Sequence, residues 1–273
     1  MGRLMKYELR SAMKLFLPLW LAVLVLAGIN RLTFNSNMFD MPNGNAAAFR
    51  FLEWLSGIAM FLFVVAIMGV FVVALIFVIQ RFYQGLLKDE GYLTFTLPVR
   101  TDSILWAKTF SAMILIAASV VVCLAAVLIL GASRELWKNL AWGWQWLMKY
   151  SGRGDVILAC ILGFILAIAA MIPSVQYLYL SMSIGHLAQK HRAAASVGAF
   201  VGIDILLNLV SSLALSPILN RMMESGIVWW DRDPDVTAVI WLIFGVLLAI
   251  CLIQTVIFYF PTRYILNKHL NLE

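Results

Sequence analysis

Apolar residues along this chain do not alternate with polar ones; they fall in long blocks. A helix needs about 20 mostly apolar residues to cross the ~30 Å hydrocarbon core of a bilayer. Six blocks meet or approach that length, approximately Leu15–Asn30, Trp54–Gln80, Ile104–Ala132, Val156–Gly185, Ala194–Ser216 and Ala238–Phe260. The first is short and the second and fourth are long, so different tilts are expected. Backbone groups in hydrocarbon must bond within their own segment, which makes these blocks helices, and the alternation of a barrel strand is missing. The pattern predicts an all-α polytopic membrane protein, one domain over residues 1–273 with six transmembrane helices. No hydrophilic stretch is long enough to fold alone.

Residues 1–14 precede the first block. At 100° per residue, Arg3, Lys6, Arg10 and Lys14 fall on one narrow face, with Leu4, Met5, Leu9 and Met13 across from it. This predicts an interfacial helix lying on an anionic leaflet. A signal peptide has a similar outline, but no small-x-small cleavage site follows. The segment 133–153, SRELWKNLAWGWQWLMKYSGR, carries Trp137, Trp142, Trp144 and Trp146. Tryptophan favours the headgroup level, so an amphipathic helix on the outer surface is expected. It would serve as an anchor, or as a lid or docking surface for an amphipathic substrate. Trp229 and Trp230 mark the outer side again.

Composition agrees with lipid exposure. The chain is 63% hydrophobic and 12% charged, about half the charge of a soluble domain. Cys123, Cys160 and Cys251 lie within apolar blocks and are expected to be small core residues without disulfides. With the N-terminus inside, twelve of the 20 Lys and Arg residues fall on cytosolic pieces and eight on outer loops. Acidic residues lean the other way. By the positive-inside rule both termini are expected in the cytosol, and the chain in the cytoplasmic membrane. The segment 133–153 is the exception, being as basic as its cytosolic neighbours.

Candidate chemistry is sparse. His186, His191 and His269 sit at the cytosolic edge beside Lys190, Arg192 or Lys268, so solvated or headgroup positions are expected rather than a metal site. There is no Gly-rich phosphate loop and no His-Glu-x-x-His pair, so neither ATP hydrolysis nor metalloprotease chemistry is expected. The stretch DRDPD, Asp231–Asp235, resembles one half of the Asp-rich diphosphate motif of membrane prenyltransferases, but it is single and on the outer side. No cofactor, metal or nucleic acid is expected for this chain.

Charge within hydrocarbon costs about 2.5 kcal/mol or more, which singles out Asp204 near the middle of the fifth block. Asn208 and Ser211 share its face. Gly198 and Gly202 form a G-x-x-x-G elsewhere on that helix, suited to close packing. Asp204 and Asn208, with Pro173 and Gln176 of the fourth block, are candidate translocation-pathway residues. Pro173 also predicts a kink. The alternative is structural: an internal hydrogen-bond cluster with Asp204 neutral or paired, and packing around Pro173.

Between the second and third blocks lies Arg81–Lys108, RFYQGLLKDEGYLTFTLPVRTDSILWAK. Gly85 and Gly91 permit chain reversals. Pro98 interrupts regular structure, and Thr101 or Asp102 can cap the third span. Leu86, Leu87, Tyr92, Leu93, Phe95 and Leu97 form an apolar patch rimmed by Lys88, Asp89, Glu90 and Arg100. Such a patch suits docking of a soluble partner. The alternative is a re-entrant or interfacial hairpin packed under the bundle.

Phe82-Tyr83, Asp89-Glu90-Gly91-Tyr92-Leu93, Thr96-Leu97-Pro98-Val99 and Lys108 resemble the first cytosolic loop of ABC-2-type transporter permeases of Gram-positive bacteria. The six-span plan with an N-terminal interfacial helix is similar over the whole chain, the helices by character rather than by motif. Size and layout are similar to the membrane subunits of exporters for phenol-soluble modulins, which are amphipathic peptide toxins. Arg100 departs from the small polar residues common at its position.

The resemblance implies an assembly of two permease subunits, a homodimer or a heterodimer, with two copies of a separate cytosolic ATPase that holds ATP and magnesium. It implies that the 81–108 loop carries a coupling helix seated in a groove of the ATPase, with Leu86, Glu90, Tyr92, Leu93, Phe95 and Leu97 as contacts. The chain would not itself be catalytic. It would move an amphipathic substrate, a peptide toxin or antimicrobial peptide, out of the cell. Multidrug or lipid-like substrates are the alternative. A membrane enzyme or a non-transporting sensor are alternatives of another class.

Overall fold

The computed structural model describes residues 2–35, 46–87, 101–131, 134–151, 153–188, 191–224 and 236–268. The described residues form seven α-helices and no strand. These are α1 (Gly2–Asn35), α2 (Ala46–Phe82), α3 (Thr101–Gly131), α4 (Arg134–Ser151), α5 (Arg153–His186), α6 (Arg192–Glu224) and α7 (Val236–Lys268). A single π-helical turn, Tyr83–Leu87, extends α2. All but α4 are long and apolar enough to cross a membrane, as Met5–Leu32, Trp54–Leu86, Thr101–Gly131, Val156–His186, Arg192–Leu213 and Trp241–Asn267. The chain is a multi-pass helical membrane protein.

Several helices outrun the apolar blocks. Residues 2–14 do not form an element of their own, because α1 runs on through them and through Pro18 for 34 residues. The first span is therefore not short. Hydropathy stops at the first charges, whereas helical hydrogen bonding does not. The second span likewise continues beyond Gln80 through Gly85, which sits in the π turn rather than at a reversal. Pro173, Pro217 and Pro261 all lie inside continuous helices.

The chain divides into two compact units. One comprises Met1–Gln80 and Phe110–Trp144. Within it α1 buries Glu8, Ala12, Phe16, Val23, Ala27 and Asn30, a stripe at helical spacing. Lys6, Arg10 and Lys14 are exposed on the opposite side. Small residues bring the helices close. Val23 and Ala27 meet Phe63 and Val70 of α2 and Cys123 and Ala126 of α3, and Ala12 and Phe16 meet Ala74 and Leu115. Polar side chains bridge the helices. Asn30 Nδ2 donates to the Ala59 carbonyl at 3.0 Å, and Trp20 Nε1 donates to Ser119 Oγ at 3.2 Å.

The other unit comprises Arg81–Thr109 and Gln145–Glu273. Its centre is the second half of α5, which packs against α6, α7 and the π turn. From Val175 to Ser183 most α5 side chains are buried on every side. Ser181 and Ser183 satisfy their hydroxyls on the carbonyls of Leu178 and Tyr179, so they cost little inside the bundle. Tyr177 joins three helices: its OH donates to the Phe200 carbonyl at 2.6 Å, and its ring lies 4.7 Å from Phe200 and 5.6 Å from Phe258. Gly185, buried at the end of α5, faces Ser196 of α6. A Cβ at 185 would lie closer than 3.0 Å to the Ser196 backbone, so this crossing requires glycine.

The cysteines are not all core residues. All are free thiols, but only Cys123 is buried; Cys251 is half-buried and Cys160 is exposed. An apolar block on a helix with one packed side necessarily presents some of its small residues outward.

Candidate functional site

The described residues place the base of the 81–108 loop in detail. Glu90, Tyr92, Leu93, Phe95 and Leu97 lie outside the described residues, as do Asp231–Asp235, Trp229, Trp230 and His269. Leu86 is only 1% exposed. That removes it from the surface contacts expected from sequence, because its apolar side chain is already buried within the chain.

On the near side of the loop, α2 ends by widening into the π turn, a local change frequent at functional positions. Aromatic contacts seat this end on α5. Phe82 stacks on Tyr179 at 4.1 Å and 12°, and Tyr83 meets His186 edge-on at 6.3 Å. His186 is therefore half-buried, with Nδ1 enclosed, rather than solvated as its charged neighbours suggested. Lys108 of α3 is 7% exposed, and its Nζ donates to the Arg81 carbonyl at 3.1 Å. A cation at the C-terminal end of a helix complements both the exposed carbonyls and the dipole. Gly85 leaves room for it, since Lys108 Nζ would lie 2.7 Å from a Cβ at that position.

On the far side of the loop, α3 opens at Thr101 with Asp102 in its first turn. Asp102, one of the two capping candidates, does something further. Asp102 Oδ1 accepts from the Tyr259 hydroxyl at 2.6 Å and from Arg263 Nε at 2.8 Å. Tyr259 and Arg263 are one turn apart on α7 and so share a face. Trp106, one turn beyond Asp102, lies 5.6 Å from the Tyr259 ring at 32°. Donors to a carboxylate form the stronger class of hydrogen bond. This cluster was not legible in sequence: its members are 157 residues apart, and only the i, i+4 Tyr–Arg pair gave a weak local signal.

The four pathway candidates separate into two pairs. Pro173 and Gln176 are buried in α5, and both amide atoms of Gln176 are enclosed without a hydrogen-bond partner. Through Pro173 the helix continues, and Ser174 adds its hydroxyl to the Ala170 carbonyl at 2.8 Å. Asp204 and Asn208, in contrast, are exposed on α6; a buried Asp204 is not what the chain forms. Asn208 Nδ2 donates to both the carbonyl and Oδ2 of Asp204, at 2.9 and 3.1 Å, so the pair is locally satisfied. No residue of Arg192–Leu213 is buried. Gly198 and Gly202 have nothing within 4 Å of an added Cβ, so among the described residues the G-x-x-x-G meets no other helix.

Within the segment 133–153, Arg134–Ser151 is helical as α4, with Trp137, Trp142, Trp144 and Trp146 all exposed. Among the described residues no group of His, Cys, Asp and Glu is arranged to hold a metal ion. Comparison with protein-family models, with curated proteins and with solved structures finds no match to this chain.

Proposed function

We propose that this chain is the membrane subunit of an ATP-binding-cassette exporter, with a separate cytosolic ATPase supplying energy and an amphipathic molecule, most simply a peptide, as cargo. The observation that carries this reading is the segment Arg81–Lys108, an apolar patch with a charged rim set between two membrane-length helices. The anchored base of that segment supports it. A loop that receives force needs stiff attachments, and here the residues before and after it are gripped by Lys108 and Asp102. Six crossings would return both termini to the face that carries this loop, in keeping with the basic residues there. Asp204 and Asn208, exposed on the same helix as Gly198 and Gly202 but on another face, favour cover by a second permease copy, since a carboxylate against lipid is costly. The test is charge substitution in the patch. Leu93→Glu or Phe95→Glu abolishes co-purification of the ATPase while membrane insertion is unchanged. Wild-type binding by both variants refutes the docking assignment.

A further inference from the structure

Both ends of the 88–100 loop are tied to helices that do not adjoin it in sequence. Before the loop, the end of α2 rests on α5 through Phe82–Tyr179 and Tyr83–His186. After it, the start of α3 is held to α7 through Asp102. Lys108 joins the two ends by donating from α3 to the Arg81 carbonyl near the end of α2. The described residues 81–87 and 101–109 accordingly belong to the same compact unit as α5, α6 and α7.

We infer that Asp102, Tyr259 and Arg263 form a latch that carries a push on the 88–100 loop into α7, making them positioning residues for transport. This rests on the permease reading above. The chemistry suits a mechanical link. Two donors from consecutive turns of α7 converge on one carboxylate oxygen, so α3 cannot slide along α7 without breaking both contacts. Trp106 against Tyr259 blocks rotation about that point. The carboxylate is one residue inside the helix start, in the first turn of α3. Arg263 and Asp102 stay partly exposed, at 43% and 32%, so the latch can be broken and remade in water at the membrane edge.

The test uses the full chain with its ATPase in inverted vesicles, with a fluorescent amphipathic helical peptide as the probe. Asp102→Arg, Arg263→Asp, the double charge swap and the milder Tyr259→Phe are compared by ATPase co-purification and by peptide moved per ATP hydrolysed. The latch predicts normal ATPase binding in every variant. It predicts a fall of roughly tenfold in peptide per ATP for Arg263→Asp, the scale set by losing one charge-assisted contact, a fall at least as large for Asp102→Arg, which loses both contacts, and partial recovery in the swap, which restores the ion pair but not the Tyr259 bond. Tyr259→Phe gives a smaller fall. Unchanged coupling in the singles overturns the latch, and so does loss of ATPase binding that the swap does not restore. A wild-type chain that binds no ATPase and moves no peptide with ATP overturns the permease reading itself, which the wild-type arm shows separately.

Discussion

Gly185 offers the sharpest test of the packing at the centre of the second unit. Replacing it with Ala puts a methyl closer than 3.0 Å to the backbone of Ser196. Ordinary contact begins near 3.4 Å, and besides the Ser196 hydroxyl the atoms in the way are the Ser196 backbone N and Cα, which no rotamer change can move. Either α5 and α6 separate locally or the end of α5 is distorted, including the hydrogen bonds from Leu187 and Ala188 to the carbonyls of Ile184 and Gly185. Overpacking of this kind costs about 1–3 kcal/mol. Alanine returns up to about 1 kcal/mol of helix propensity, less at a helix end. The net loss is about 1–2 kcal/mol, or a fall of roughly 2–8 °C in Tm for a chain of this size. Gly163, on the same helix with nothing within 4 Å, is the internal control. Thermal unfolding of the detergent-purified protein should show Gly185→Ala clearly below wild type and Gly163→Ala at or above it. Equal stability of Gly185→Ala and wild type would refute the close crossing of α5 and α6.

Two further substitutions probe polar links inside the helices. Asn30→Leu removes the bond from α1 to the Ala59 carbonyl of α2, and interhelical hydrogen bonds of this type are worth about 0.6 kcal/mol and at most about 1.7; a modest Tm loss is expected, and a gain would argue against the bond. Lys108→Met removes the cation at the end of α2, so amide exchange across Tyr83–Leu87 should quicken while α5 is unaffected; unchanged exchange would mean the π turn is held by its own packing.

The number of spans was readable in sequence because bilayer thickness imposes a minimum run of apolar residues, and six runs satisfied it. Helix ends were not, since charged residues stop a hydropathy window without stopping a helix. Residues 2–14 and Leu86 fall inside helices for that reason, and Pro261 does so because a proline need not end a helix. The exposure of Asp204 and Cys160 was hidden too, because an apolar block does not reveal which of its sides is packed. Asp102 looked like a cap, and a local role was all that its neighbours could suggest. Its partners on α7 come together only when the chain folds. The requirement for glycine at 185 was equally invisible, because it is set by the backbone of Ser196 on another helix.

The central claim is that this chain moves an amphipathic molecule across the membrane at the expense of ATP hydrolysed by another protein. Inverted vesicles from cells with and without the chain, given a fluorescent amphipathic helical peptide, measure this directly. Uptake that requires both ATP and the chain, and that vanishes with Leu93→Glu, is the predicted result. Uptake that is the same with and without the chain would contradict it.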